Sequence, residues 1–197
     1  MGPSTAQPSG GAPPGSFGDV GGLRLERDGE VIGESGYPFR VFEVPAEAGK
    51  YELTQSVEKI GQPSRTWQRS TAVRTTWGFT SKLDPAASSQ ALPVLFPRYA
   101  APMDGGKTVT AANGLSIGLS ATGHAGYEPG ALTSAELSYS YDGEPWTEAE
   151  VSERGGRWAA VVDHAGASGK PVSLKVELTD ANGASVTQTV VRAYGIR

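Results

Sequence analysis

Val172-Ser173-Leu174-Lys175-Val176-Glu177-Leu178-Thr179, followed by Asp180-Ala181-Asn182-Gly183, is the stretch that decides the fold. Val172, Leu174, Val176 and Leu178 fall on one side of an extended chain, and Ser173, Lys175, Glu177 and Thr179 on the other. That period of two is the pattern of a strand with one dry and one wet face, whereas a helix would scatter the same apolar residues around its circumference. Asn182-Gly183 then supplies the residues of a tight hairpin. The Asp180 and Asn182 oxygens also resemble part of a calcium loop, but the acidic ligand that would complete an EF-hand is missing and a type I′ turn accounts for every residue.

The same pattern extends toward the amino terminus. Gly155-Gly156 turns the chain into Trp158-Ala159-Ala160-Val161-Val162, and Asp142-Gly143 turns it toward Trp146. Leu137, Tyr139 and Tyr141 alternate with Glu136, Ser138 and Ser140, as Leu115, Ile117 and Leu119 do with Ser116, Gly118 and Ser120. Short alternating runs separated by turns over residues 91–197 predict an immunoglobulin-like or fibronectin-like β-sandwich.

Residues 23–84 carry their own strand signals. Leu23-Arg24-Leu25-Glu26-Arg27 alternates, Asp28-Gly29 offers a hairpin turn and Val31-Ile32 returns. Residues 39–44 form a short apolar run ended by Pro45. Tyr51, Leu53 and Val57 share a face opposite Glu52, Thr54 and Glu58, and Val73, Thr75, Trp77 and Phe79 repeat the period with Arg74 and Thr76 opposite. These predict a small antiparallel β domain. The small and polar Asp84-Pro85-Ala86-Ala87-Ser88-Ser89 marks the boundary before the sandwich, and the Pro/Gly/Ser-rich residues 1–22 read as a flexible, disordered linker.

Composition agrees with an all-β chain of antiparallel sandwiches. Its 27 glycines and 14 prolines serve turns and weaken helix interiors. The formal net charge of −4 argues against nucleic acid as a partner, because phosphate binding draws on clustered Lys and Arg. No apolar run is long enough to enter a membrane as a helix. Without cysteine there is no thiol nucleophile and no thiolate metal site. No cofactor is expected.

His124 and His164 are the only histidines, and neither sits in a serine-elbow or metal-spacing pattern, so no catalytic residue and no metal ligand is assigned. Between Gly61 and Leu83 the charged residues Arg65, Arg69, Arg74 and Lys82 are interleaved with Trp67, Trp77 and Phe79. That is the make-up of a basic aromatic stacking face, although the alternation fits aromatics turned to the core and arginines to solvent. From Thr108 to Glu153 the charges are all acidic, so the two units would attract each other weakly. If the chain binds a polysaccharide or another surface ligand, Trp146, Trp158, Trp67 and Arg69 are the residues offered for it, since paired exposed tryptophans make a carbohydrate platform.

Several stretches, in two regions of the chain, resemble a known family. Leu25-Glu26-Arg27-Asp28-Gly29-Glu30-Val31-Ile32-Gly33-Glu34-Ser35, with Val41-Phe42-Glu43-Val44-Pro45-Ala46-Glu47 and Tyr51-Glu52-Leu53-Thr54, resembles the region beyond the catalytic domain of large secreted subtilisin-like serine proteases of high-GC bacteria. Leu137-Ser138-Tyr139-Ser140-Tyr141-Asp142-Gly143-Glu144-Pro145-Trp146, Gly156-Arg157-Trp158 and residues 172–194 are similar to the final β-sandwich of the same proteins. The Asp-Thr-Gly, His-Gly-Thr and Gly-Thr-Ser-Met-Ala strings of subtilase catalysis do not occur here, so no active-site residue is carried over. The resemblance implies a secreted, non-catalytic accessory module that stabilises or positions a protease, with its catalytic domain or a protein substrate as partner. A carbohydrate-binding or cell-surface-binding β-sandwich is the alternative.

Overall fold

The computed structural model describes residues 19–59, 69–87, 89–141 and 145–197. Among the described residues there is no helix. The strands run in the order β1 (Asp19–Arg27), β2 (Glu30–Ser35), β3 (Gly49–Lys59), β4 (Ala72–Ser81), β5 (Leu95–Ala100), β6 (Thr108–Val109), β7 (Leu115–Gly123), β8 (Leu132–Ser140), β9 (Thr147–Glu148), β10 (Glu150–Arg154), β11 (Arg157–Val162), β12 (Pro171–Asp180) and β13 (Ser185–Ile196). They make two antiparallel sheets, in keeping with the all-β sandwich read from the alternation. The larger sheet has the order β2-β1-β3-β4-β13-β12-β8-β9, with β6 added in parallel to β13, and the smaller has the order β10-β11-β7-β5.

The decisive stretch is β12, with Val172, Leu174, Val176 and Leu178 buried in the core. Its hairpin to β13 differs from the expected type I′ form. Gly183 takes positive φ but Asn182 does not, Gly183 N–H donates to the Asp180 carbonyl, and the ladder resumes with Thr179 opposite Ser185. This is a longer loop closed by an αL glycine. The β1–β2 turn does take the type I′ form, with φ of 51° at Asp28 and 87° at Gly29. Gly155 and Gly156 do the same work between β10 and β11.

The expected division into a small domain (23–84) and a sandwich (91–197) gives way to a shared sheet. β4 pairs in register with β13 from Ala72 opposite Val191 to Gly78 opposite Ser185. Leu25, Leu53, Trp77, Val186, Leu178 and Ala135 therefore lie in one continuous row across β1, β3, β4, β13, β12 and β8. One hydrophobic cluster runs from Leu25 to Ile196. The physical reason is that an alternating strand needs a partner on each edge, and β4 finds its second one more than a hundred residues away. Strand β1 begins at Asp19, so residues 19–22, expected in the linker, belong to the sheet; residues 1–18 lie outside the described residues.

The smaller sheet covers one face of the larger. Leu95, Ile117, Leu119, Ala160 and Val162 from its inner side meet Leu137, Val176, Leu178 and Val186. Polar links cross this interface where apolar contact alone would not fix the register. Trp77 donates its indole N–H to the Leu95 carbonyl at 2.8 Å, satisfying a donor that burial would otherwise strand. Tyr99 and Gln188 are 3.0 Å apart, and Gln188 donates on to the Thr75 hydroxyl at 3.0 Å, which ties β5, β13 and β4 together.

Candidate interaction surface

The connection from β2 to β3 is where the molecule departs from an ordinary sandwich. Residues 36–48 cross the core-facing side of β2, β1 and β3 as a strap, against Gly33, Gly21, Gln55 and Arg27. Glycines make the close approach possible: a Cβ at Gly33 would collide with the Phe42 ring, and one at Gly21 would crowd Pro38 and run into the Ser56 carbonyl. Phe42 thereby packs, half-buried, against the core. Gln55 donates its side-chain amide to the Pro38 carbonyl at 2.7 Å. At the far end Arg27 donates to the Glu47 and Ala48 carbonyls at 3.4 and 3.2 Å, and Leu83 N–H donates to the Ala46 carbonyl at 3.1 Å. Residues 39–44, an apolar run at the level of sequence, thus lie outside any ladder.

Because Pro38 and Phe42 turn inward, the residues between and beside them turn outward. Tyr37, Phe39 and Val41 are 68%, 55% and 64% exposed, and Val44 in the same segment is 49% exposed. The Tyr37 and Phe39 rings lie 6.0 Å apart with their planes tilted by 33°. Arg40 lays its guanidinium 5.7 Å from the centre of the Phe42 ring and donates to the Glu34 carbonyl. Large apolar side chains turned to water in a contiguous group mark a contact surface more often than scattered ones do. The strap holds the densest such group among the described residues.

The residues offered from sequence as binders are dispersed. Trp158 lies on β11 and packs, half-buried, against the core. Arg69 folds its guanidinium onto Gly195 of β13. Trp146 is 36% exposed beside β9, and Trp67 lies outside the described residues, as does the Asp142-Gly143 turn. Trp77 and Phe79 are buried in the core and Arg74 is exposed on the opposite face, as the alternation required.

Both imidazoles are engaged structurally. His124 meets the Phe96 ring edge-on at 5.6 Å, and Phe96 in turn meets Trp77. His164 is fully buried, with Nδ1 3.0 Å from the Tyr141 hydroxyl and Nε2 2.8 Å from the Tyr194 hydroxyl. Tyr141 donates its one proton to the Asp163 carbonyl at 2.7 Å. Nδ1 must then carry the ring proton, and Nε2 accepts from Tyr194. Burial holds the His164 pKa below the ordinary histidine value, with the neighbouring Asp163 opposing the shift.

The Asp180 carboxylate is likewise absorbed by the fold. It accepts from the N–H groups of Asn182 and Ala184 on one oxygen, and from the Tyr127 hydroxyl at 2.6 Å and Gly130 N–H at 3.1 Å on the other. Those donors occupy the lone pairs a cation would need and join the β7–β8 connection to the β12–β13 turn. Asp104 repeats the arrangement on a smaller scale with Gly106 and Thr108, and the bonds from Thr108 hold its carboxyl below the usual carboxylate range.

The strap was the feature sequence reasoning missed. Its signal is slight: Pro38 and Pro45 bracket the run, and neither can donate a backbone N–H to a ladder at its ends. No family model and no curated protein matches the chain.

Proposed function

We propose that the chain is a non-catalytic accessory module that makes protein contacts through its strap, attached to or working with a secreted subtilisin-like protease. The observation that carries this reading is the outward row of Tyr37, Phe39 and Val41 on a segment pinned at both ends to a rigid sheet. Such a platform holds its contact residues in place before a partner arrives, which lowers the entropic cost of binding. The larger sheet, in which β1 to β4 join β13, β12 and β8, is the body that supports it. The engagement of both His164 ring nitrogens with tyrosines favours a structural role for the one fully buried imidazole. The protease context, and with it secretion, rests on the order of motifs from Leu25 to Tyr194.

Binding of the full chain to an immobilised subtilisin-like catalytic domain, and to a reduced and carboxymethylated protein substrate, tests the reading. We expect one of the two to bind, and the variant Tyr37→Ser/Phe39→Ser/Val41→Ser to lose that binding. Binding to neither would refute the protease association, and binding only to polysaccharide would transfer the role to a carbohydrate surface.

A further inference from the structure

We propose that residues 39–44 are a docking strand, to which an extended segment of another polypeptide carrying apolar side chains flanked by Lys or Arg pairs through its backbone. This rests on the strap being the contact surface proposed above and specifies its partner. Among the described residues, no backbone N–H or C=O of residues 39–44 is hydrogen-bonded to another backbone group, whereas the bonds at Pro38 and Ala46 fix the segment on either side. No residue of the segment takes a positive φ, so nothing in its backbone bars pairing. Within the segment only Phe42 is half-buried against the sheet, while Phe39, Arg40, Val41, Glu43 and Val44 are exposed, so the unbonded N–H and C=O groups lie in a stretch open to a partner. That arrangement is the template used when a peptide adds as a strand: main-chain bonds supply affinity and alternate side chains supply selectivity. A partner strand would set its outward side chains against Phe39 and Val41 as cross-strand neighbours.

Charge narrows the partner. Residues 30–47 contain Glu30, Glu34, Glu43 and Glu47 against the single Arg40, four negative charges to one positive, a net of −3. Glu34 is paired with Arg24 at 3.0 Å, and Arg40 is committed to the Glu34 carbonyl and the Phe42 ring. Glu30, Glu43 and Glu47 have no ion pair among the described residues and remain to meet a cationic partner. A second copy of this chain would bring the same acidic residues against each other across a two-fold contact. An anionic lipid surface would be repelled for the same reason. The 33° tilt between the Tyr37 and Phe39 rings spoils them as a flat sugar platform.

Selection of a random phage-displayed library of roughly 12-residue peptides on the full chain, with the Tyr37→Ser/Phe39→Ser/Val41→Ser variant as counter-target, tests this. We expect enrichment of peptides that alternate aromatic or aliphatic residues and carry Lys or Arg. Their affinity should fall about tenfold or more on the variant, and again when salt rises from about 50 to about 300 mM. In a synthetic copy, N-methylation of amides on one edge should abolish binding, while methylation on the other edge leaves it intact. Peptides that tolerate methylation on both edges would overturn strand pairing while leaving the strap as a contact surface. Failure to enrich any peptide, binding retained by the variant, or a chain dimer that the variant dissolves would overturn the proposal itself.

Discussion

The two halves of the larger sheet present the same kind of face to very different covers. Under the smaller sheet, Leu137, Val176, Leu178 and Val186 are essentially sealed from water, because a second layer of strands meets them side chain for side chain. On β1, β3 and β4, where the strap rather than the smaller sheet lies against β1 and β3, Leu23, Leu53, Val57 and Val73 are only half-buried. A sheet layer offers an inner row of residues on every strand. A strap has one inner row in total, and here its outer row is apolar as well. The contrast locates where stability comes from and where the molecule has surface left over for a partner.

The largest expected effect tests whether the halves stand or fall together. Trp77 lies in the row shared by both and anchors β4 to Leu95. Trp77→Ala should cost about 3–5 kcal/mol in urea unfolding and keep a single transition. Two separated transitions would show that the shared sheet does not couple the halves.

Acid should act on the sealed half first. His164 is held neutral by burial, so its pKa in the folded protein lies below that in the unfolded chain. The unfolded chain then binds the extra proton once pH drops below about 6.5, and stability declines from there toward the folded pKa, by no more than about 1.4 kcal/mol per pH unit for one proton. His164→Gln should start less stable at neutral pH and lose this acid slope. An unchanged slope between pH 7 and 5 would assign acid sensitivity elsewhere.

Smaller effects sharpen the strap side. Phe42→Ala should cost roughly 1–2 kcal/mol, less than a sealed core residue, because the ring is only half-buried. Hydrogen exchange should show the loss concentrated in β1, β2 and β3 rather than in β12. The Tyr37→Ser/Phe39→Ser/Val41→Ser variant should stay within about 0.5 kcal/mol of the parent chain in urea unfolding. A substantial loss would mean that the outer row stabilises the fold itself.

Much of this architecture was legible in the chain. Alternation at Val172 to Leu178, at Leu137 to Tyr141 and at Val73 to Phe79 specified strands and their buried sides. The Asp28-Gly29 and Gly155-Gly156 turns were readable because positive φ is affordable at few residue types. The strap was harder to read: apolar content in residues 39–44 resembled another strand, and only the prolines at 38 and 45 hinted that it would remain unpaired. Trp158 and Arg69 looked like binding residues in sequence because nothing local distinguishes an aromatic or a cation that faces the core or the last strand from one that faces solvent.

The sequence by itself determined which segments are strands, which of their sides are dry and where they turn, since those depend on neighbours within a few residues. Tertiary structure alone decided that β4 would pair with β13, that His164 would sit among three tyrosines, and that residues 36–48 would lie over the uncovered sheet. These depend on contacts between residues far apart in the chain. Periodicity records that a side chain is dry, and it carries no information about which distant segment excludes the water.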